Sequence, residues 1–266
     1  MAQTPGPDGW TMPVAAGPPE FLPILDIPEP GRQRRLTVLF RWLLLVPQAI
    51  VLWVLSVVAF FAAVIGWFAA LVTTELPGPI ARYLTGYLGY DTRVTAGGTL
   101  LIDRYPPFSL HQPPDFPVLV QVRPGRLNRL AVFFRLILLI PAAVINSLLG
   151  TGWLVLCFFI WLLVLVLGRL PRPVFEATAA FVRYRFRFNA YLLMLTSAYP
   201  KYLFGEEPPG PGEQAPVSAT RPLVLSALGK ALLVAYLVLG LAGHVSADFA
   251  ESGNDSNKTV NTAPAP

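Results

Sequence analysis

The chain has few of the groups on which catalysis depends. Among its 266 residues are one cysteine and two histidines, and only 13% of the residues are charged. A single cysteine excludes an intramolecular disulfide framework. No His-x-x-x-His pair, cysteine cluster, Gly-x-Ser-x-Gly motif or phosphate-binding loop is present. We therefore expect no catalytic residues, no metal and no cofactor, and we predict that the protein is not an enzyme.

Charge is scarce because apolar residues make up 54% of the chain. A soluble domain has about a quarter charged residues, so this composition indicates an integral membrane protein. Two stretches, 42–73 and 136–168, contain no charged residue, and a third apolar segment covers 222–243. The first two are longer than the roughly 20 residues that one transmembrane helix needs.

An internal repeat relates the first two stretches. The phrase LIDRYPPFSL at 101–110 returns as LTSAYPKYLF at 195–204, with an offset of 94 residues. The same offset aligns the PGR triplets at 30–32 and 124–126, and it aligns Arg41 with Arg135. Charged residues and prolines in constant register indicate a duplication, which is a frequent way of building membrane proteins.

The charge distribution predicts that each long apolar stretch enters and leaves the membrane on one side. A single crossing would place many arginines on opposite sides, contrary to the positive-inside rule, whereas a hairpin keeps nearly all of them together. The sequence NSLLGTGW at 146–153 supplies turn residues near the middle of the second stretch. A re-entrant loop and one long span are the alternatives.

The predicted fold is an all-α integral membrane protein with two tandem repeats and one C-terminal transmembrane helix. Each repeat consists of a short extended arm, an apolar helical hairpin and an interfacial amphipathic helix. The expected boundaries are a disordered Pro-rich N-terminus at 1–21, repeat 1 at 22–110, repeat 2 at 111–204, a disordered linker at 205–220, the C-terminal helix at 221–245 and a disordered tail at 246–266.

The segment that closes repeat 2, 171–198, mixes arginine with aromatic residues. Three arginines at the bilayer midplane would be costly, so we expect this helix at headgroup depth. Packing against its own hairpin is the alternative. The residues expected to contact anionic lipid or a partner are Arg41, Arg135, Arg183, Tyr184, Arg185, Phe186 and Arg187.

Two further polar features remain. Asp103 and Arg104 form a polar pair that becomes Ser197-Ala198 in repeat 2, and we interpret the pair as a loop salt bridge or cap. Lys230 is the one charge inside the C-terminal apolar segment. We expect it to extend toward the interface, with a partner's carboxylate or carbonyls as the alternative.

Repeat 1 resembles a known family. The order Arg-x5-Arg-x5-Pro from Arg35 to Pro47, the sequence GWFAAL, Arg93 and the phrase DRYPPFSL resemble the bacterial, largely actinobacterial, family called domain of unknown function 4389. The resemblance is strong over 23–110 and weaker over 117–204, where Lys201 replaces the second proline of the closing phrase. It implies a membrane protein of the bacterial cell envelope without known catalysis.

The leading functional hypothesis is an accessory or scaffold protein of the bacterial inner membrane. Residues 32–204 carry 17 basic and 5 acidic residues, which favours a cytoplasmic face that binds anionic lipid and argues against nucleic acid. The N-terminus is expected in the cytoplasm and the C-terminus outside. A protein partner or a second copy of the chain is the other expected contact, and a transporter or channel component is the alternative function.

Overall fold

The computed structural model describes residues 21–206, 218 and 220–261, with side chains up to residue 247. Within these residues the chain forms seven helices and two short strands. The expected disordered N-terminus and most of the linker lie outside the described residues. The elements are β1 (Ile24–Asp26), α1 (Arg35–Leu39), α2 (Arg41–Thr73), α3 (Gly78–Gly98), β2 (Leu119–Gln121), α4 (Arg129–Phe133), α5 (Arg135–Leu167), α6 (Arg172–Leu192) and α7 (Ala227–Asn261).

Each long apolar stretch forms one uninterrupted helix, and the predicted hairpin is wrong. Helices α2 and α5 have 33 residues each, so each is about 50 Å long at 1.5 Å per residue. An unbroken helix satisfies its backbone groups internally, whereas a turn in apolar surroundings leaves some of them unpaired. The residues taken as a turn signal, 146–153, lie inside α5, where Gly152 makes room for α7.

The membrane class is confirmed. Helices α2 and α5 and the first part of α7, Ala227–Ala247, are long and apolar enough to cross a membrane. Helix α7 begins later than predicted and continues to Asn261, through part of the predicted disordered tail. Its polar extension contains no proline, and continuing an existing helix costs far less than starting one.

The two repeats exchange matching contacts, so each repeat supports the start of the other. The Trp67 indole Nε1 donates to the carbonyl of Val132, and the equivalent Trp161 donates to Val38. The same reciprocity holds for two further pairs of bonds. The two repeats are therefore related by a pseudo-twofold axis. The matched bonds are Gln33 N to Gly168 O and Leu127 N to Thr74 O, both 2.8 Å, and Arg35 Nη2 to Val166 O at 3.2 Å and Arg129 Nη2 to Val72 O at 2.9 Å.

The pseudo-twofold axis passes through the β1–β2 ribbon. The strands are antiparallel, with Leu25 opposite Val120 and Asp26 opposite Leu119. With the offset of 94 residues, Leu25 is equivalent to Leu119 and Asp26 is equivalent to Val120. The twofold rotation therefore converts one of these pairs into the other, and the axis lies between the two pairs. Helix α3 and helix α6 meet near the same axis, where the equivalent positions hold Asp91 and Arg185.

The helices form two layers below the ribbon. Helices α2, α5 and α7 make an apolar layer, and α3 and α6 make a central layer that packs on it. Arg183 and Arg187 on α6 contact carbonyls of the β1 segment, at Leu25 and Pro23. Because Arg185 lies 200° around the helix from Arg183, it faces away from the ribbon, toward the apolar layer.

Candidate functional site

A cavity of about 500 Å³ lies between the apolar layer and the central layer. Small residues of α2, including Ala59 and Ala63, leave the space, and Leu139 of α5 closes the far side. Phe60 lies at the cavity and is 63% exposed on the protein surface, so the space opens on the apolar side of the protein. Its polar groups come mainly from Ser56, Asp91, Arg135, Arg185 and Asn189.

Arg135 is the most unusual of these groups. Its side chain is 4% exposed, and its guanidinium carbon lies 4.0 Å from the centre of the Tyr191 ring. The Nη2 atom donates to the Thr196 carbonyl, while Nε and Nη1 are buried without a hydrogen-bond partner. Within the described part of the chain no carboxylate pairs with it. A buried cation with two unused donors carries a free-energy cost that an anion can relieve.

Asp91 and Arg185 balance each other at the cavity floor. The Asp91 Oδ1 and Arg185 Nη2 atoms are 3.8 Å apart, and the two side chains are 14% and 40% exposed. Burial raises the pKa of Asp91, while Arg185 and a hydrogen bond from Asn189 act in the opposite direction. This pair therefore adds little net charge to the cavity. Arg135 supplies the positive charge that no carboxylate among the described residues compensates.

Aromatic residues occupy the equivalent space in the other half of the molecule. Trp153 stands at the position equivalent to Ala59, and its ring stacks on Phe181 with centroids 6.4 Å apart. Trp42 stands at the position equivalent to Leu136 and stacks on Trp161 at 5.9 Å. The cavity is thus a property of the half in which α2 meets the start of α5.

The sequence-predicted arginines divide into two groups. Arg41 is 2% exposed and pairs with Asp103, with Nη2 and Oδ1 2.8 Å apart. Asp103 thus pairs with Arg41 across the loop, whereas Arg104 donates to the carbonyl of Asp115. Of the remaining candidates only Arg135 and Arg185 line the cavity.

The other predicted contact residues are buried in the central layer. Arg183 and Arg187 both pair with Glu206, at 3.0 and 2.8 Å, and Tyr184 and Phe186 are at most 4% exposed. Burial lowers the pKa of Arg183 to about 10, and Glu206 opposes this shift. The structure therefore places α6 at the centre of the fold instead of on an exposed interface. Glu206 and the ribbon carbonyls satisfy the arginines, which permits their burial.

Lys230 is exposed in the first turn of α7, as a lysine that extends toward an interface would be. The residues that sequence analysis missed are Asp91, Asn189 and Glu206. Comparison of the repeats contained a usable signal, because Ser197 stands where Asp103 supplies a carboxylate and Ala59 stands where Trp153 fills space.

Residues 35–109 and 129–203 each match the sequence model of one family, described as Domain of unknown function (DUF4389). The two matches together cover more than half of the chain. The chain belongs to this family. Both DUF4389 copies begin at the arginine that bonds to the other repeat, Arg35 or Arg129, and the second match confirms the duplication. No curated protein and no solved structure matches the chain.

Proposed function

We propose that this DUF4389 protein is a non-enzymatic membrane protein that binds an anionic amphiphile. The hydrocarbon chain of the ligand occupies the cavity, and its anionic head group binds Arg135. The observation that carries the proposal is a buried guanidinium with two unpartnered donors beside an apolar cavity. The protein acts as an accessory component of the membrane in which it resides.

The shape and lining of the cavity support a hydrocarbon chain. Its volume of about 500 Å³ is within the range of about 300–1,000 Å³ that is common for small-molecule sites. Ala59, Ala63, Val64 and Leu139 provide apolar walls. Because the opening lies beside the exposed Phe60, a chain can enter from surrounding lipid without crossing water.

The charges of the site support an anionic head group. Guanidinium groups form strong charge-assisted hydrogen bonds to carboxylate and phosphate oxygens, and Nε and Nη1 of Arg135 are both without a partner. Arg185 is already paired with Asp91. A zwitterionic head group would bring a second positive charge toward Arg135, so the proposal favours a ligand with net negative charge.

Charge and the family resemblance support a more specific membrane location for the protein. The excess of arginine over acidic residues in 32–204 favours a cytoplasmic face with anionic lipid, in the inner membrane of a bacterium. A protein partner or a second copy of the chain remains part of the proposal as a contact of the same accessory protein.

Transport is the second candidate function, because the cavity lies between the two repeats, where transporters of duplicated architecture place their substrates. Ser56 lies at the cavity, where it would line such a path, whereas Lys230 lies on α7. Flux of an anionic amphiphile across vesicles containing the purified protein would favour this alternative over simple binding.

The test is native mass spectrometry of the protein in nanodiscs that contain phosphatidylglycerol or phosphatidylcholine. We expect retention of phosphatidylglycerol and its loss in Ala59→Trp, which places the large residue of repeat 2 in the cavity. Val58→Trp is the matched control, since Val58 is 49% exposed and lies outside the cavity lining. Equal retention by Ala59→Trp and the wild type would reject the cavity as the binding site.

A further inference from the structure

The exposed apolar surface is concentrated on the apolar layer of the molecule. Large apolar side chains are exposed along the apolar layer, for example Trp53 at 69%, Leu154 at 64% and Val238 at 60%. In the described part of the chain, α3 contributes none of them and α6 contributes only Leu192. A protein that crosses a bilayer needs an apolar belt around its whole circumference, and this distribution is not a belt.

The exposed face of α2 continues over the full length of the helix. Ile50, Phe61 and Phe68 lie within 20° of one another around the axis and are each about 60% exposed. The face extends to Val72, which is 73% exposed. A helix of about 50 Å is far longer than the roughly 30 Å of bilayer hydrocarbon, so an upright α2 would leave exposed apolar residues in water.

Polar groups lie beside the middle of the long helices. The ribbon contacts the middle turns of α6 through Arg183, and exposed Asp115, Gln121 and Arg123 flank it. If α2 and α5 stood upright, these groups would lie at the depth of the bilayer centre. Asp115 and Arg123 at that depth would be costly, because ionisable side chains are strongly disfavoured in hydrocarbon.

We infer that α2, α5 and the apolar part of α7 lie along the bilayer plane, embedded in one leaflet, with the ribbon in water. The pseudo-twofold axis then coincides with the membrane normal, and both repeats insert from the same side. The cavity opens into the acyl chains of that leaflet. This arrangement also keeps the arginines on one side without a hairpin, which removes the conflict with the positive-inside rule.

The ends of the apolar layer fit the headgroup region. Exposed arginines occur at both ends of the long helices, where an embedded helix meets lipid phosphates. They are Arg34, Arg35, Arg126, Arg129, Arg169 and Arg172. An upright helix pair would divide the same residues between two membrane surfaces. The inference concerns the outer surface and holds whether or not the cavity binds a ligand.

Single cysteines test the inference in a Cys157→Ala background. We expect Arg34→Cys, Glu75→Cys and Gln121→Cys, which sample the two ends of α2 and the ribbon, to react with an impermeant maleimide from the same side of sealed vesicles. Reaction of Arg34→Cys and Glu75→Cys from opposite sides would overturn the inference.

A depth measurement provides the second arm and needs no sealed vesicles. Nitroxides at Ile50, Phe61 and Phe68 are expected at one depth, measured by relaxation with oxygen and a water-soluble nickel complex. An upright helix would separate the first and last by about 27 Å along the normal, and a graded depth would overturn the inference. Absence of lipid retention by the wild type, with the three nitroxides at one depth, would reject only the cavity ligand.

Discussion

Arg41 and Arg135 occupy equivalent positions in the two repeats, and both are buried, yet only Arg41 has a carboxylate partner. Asp103 supplies it in repeat 1, and the equivalent residue of repeat 2 is Ser197. Next to Arg135 the chain also has Ala59 where the other half has Trp153. These two differences leave a cation without a carboxylate partner beside an open space, which shows how a duplicated fold can acquire one site.

The two repeats also differ in their contacts with helix α7. Helix α7 packs on α5 at Gly152, and the Glu176 carboxylate accepts hydrogen bonds from the Ser226 backbone and hydroxyl before the start of α7. The equivalent residues of repeat 1 are Val58 and Arg82. A valine prevents the same close approach, and an arginine offers no acceptor, so α7 has a specific place on repeat 2 alone.

The largest expected effect comes from removing the carboxylate that distinguishes repeat 1. Asp103→Asn leaves Arg41 buried without a charge partner and should lower the free energy of unfolding by about 3 kcal/mol. Chemical unfolding in detergent micelles measures it. Ser197→Asn, at the equivalent position, is the control and should change stability by less than about 0.5 kcal/mol. Equal effects of the two variants would contradict the assigned ion pair.

The next effect concerns the helix that covers only repeat 2. A Cβ atom at Gly152 would overlap the backbone carbonyl of Tyr236, so Gly152→Leu should displace α7 and cost about 2 kcal/mol. Thermal unfolding measures the loss, and faster proteolysis of the linker reports the displaced helix. Val58→Leu changes the equivalent exposed position and is expected to be neutral. A neutral Gly152→Leu would argue against the close α5–α7 contact.

A smaller effect is expected when Arg135 receives the partner that Arg41 has. Ser197→Asp should compete with an anionic head group and weaken phosphatidylglycerol binding at least ten-fold, which corresponds to about 1.4 kcal/mol. Stability should not fall, because the new carboxylate compensates a buried cation. Titration with the lipid measures the affinity, and Ser197→Asn serves as the uncharged control. Unchanged affinity in Ser197→Asp would separate Arg135 from ligand binding.

The smallest effect is a pH dependence. Burial alone would raise the pKa of Glu206, but Arg183 and Arg187 outweigh it and hold this pKa below its ordinary range. The ion pairs therefore stabilise the fold above about pH 4.3, and the stabilisation disappears as the pH falls through the lowered pKa. Glu206→Gln, which copies Gln112 of repeat 1, should lower stability at neutral pH and flatten the acid loss. An unchanged acid profile in this variant would argue against the pairing.

Much of the fold was predictable from sequence. Constant spacing of residues such as Arg41 and Arg135 revealed the duplication, and the uncharged stretches indicated helical membrane segments. The hairpin was wrong because charge distribution outweighed backbone hydrogen bonding in the prediction, whereas each stretch forms one continuous helix of 33 residues. A turn signal such as Gly152 has two physical meanings, a bend or a close helix contact, and spacing alone does not distinguish them.

The candidate site was harder to predict from sequence than the fold. Arg183 and Arg187 suggested an exposed basic helix, since their partner Glu206 lies beyond the closing Tyr-Pro phrase and nothing in the local pattern links them. Ala59 is an ordinary residue for an apolar helix, and its significance depends on knowing that it faces Arg135 across a gap. Long-range contacts of this kind follow from the docking of the two repeats, which local patterns do not encode.

The orientation of the long helices is the central claim, and polarised infrared spectroscopy of the protein in aligned bilayers measures it directly. The amide I transition of a helix lies close to its axis, so the dichroic ratio reports the average tilt. Our account predicts that the axes of α2, α5 and α7 lie near the bilayer plane. A dichroic ratio that places these helices close to the membrane normal would contradict it.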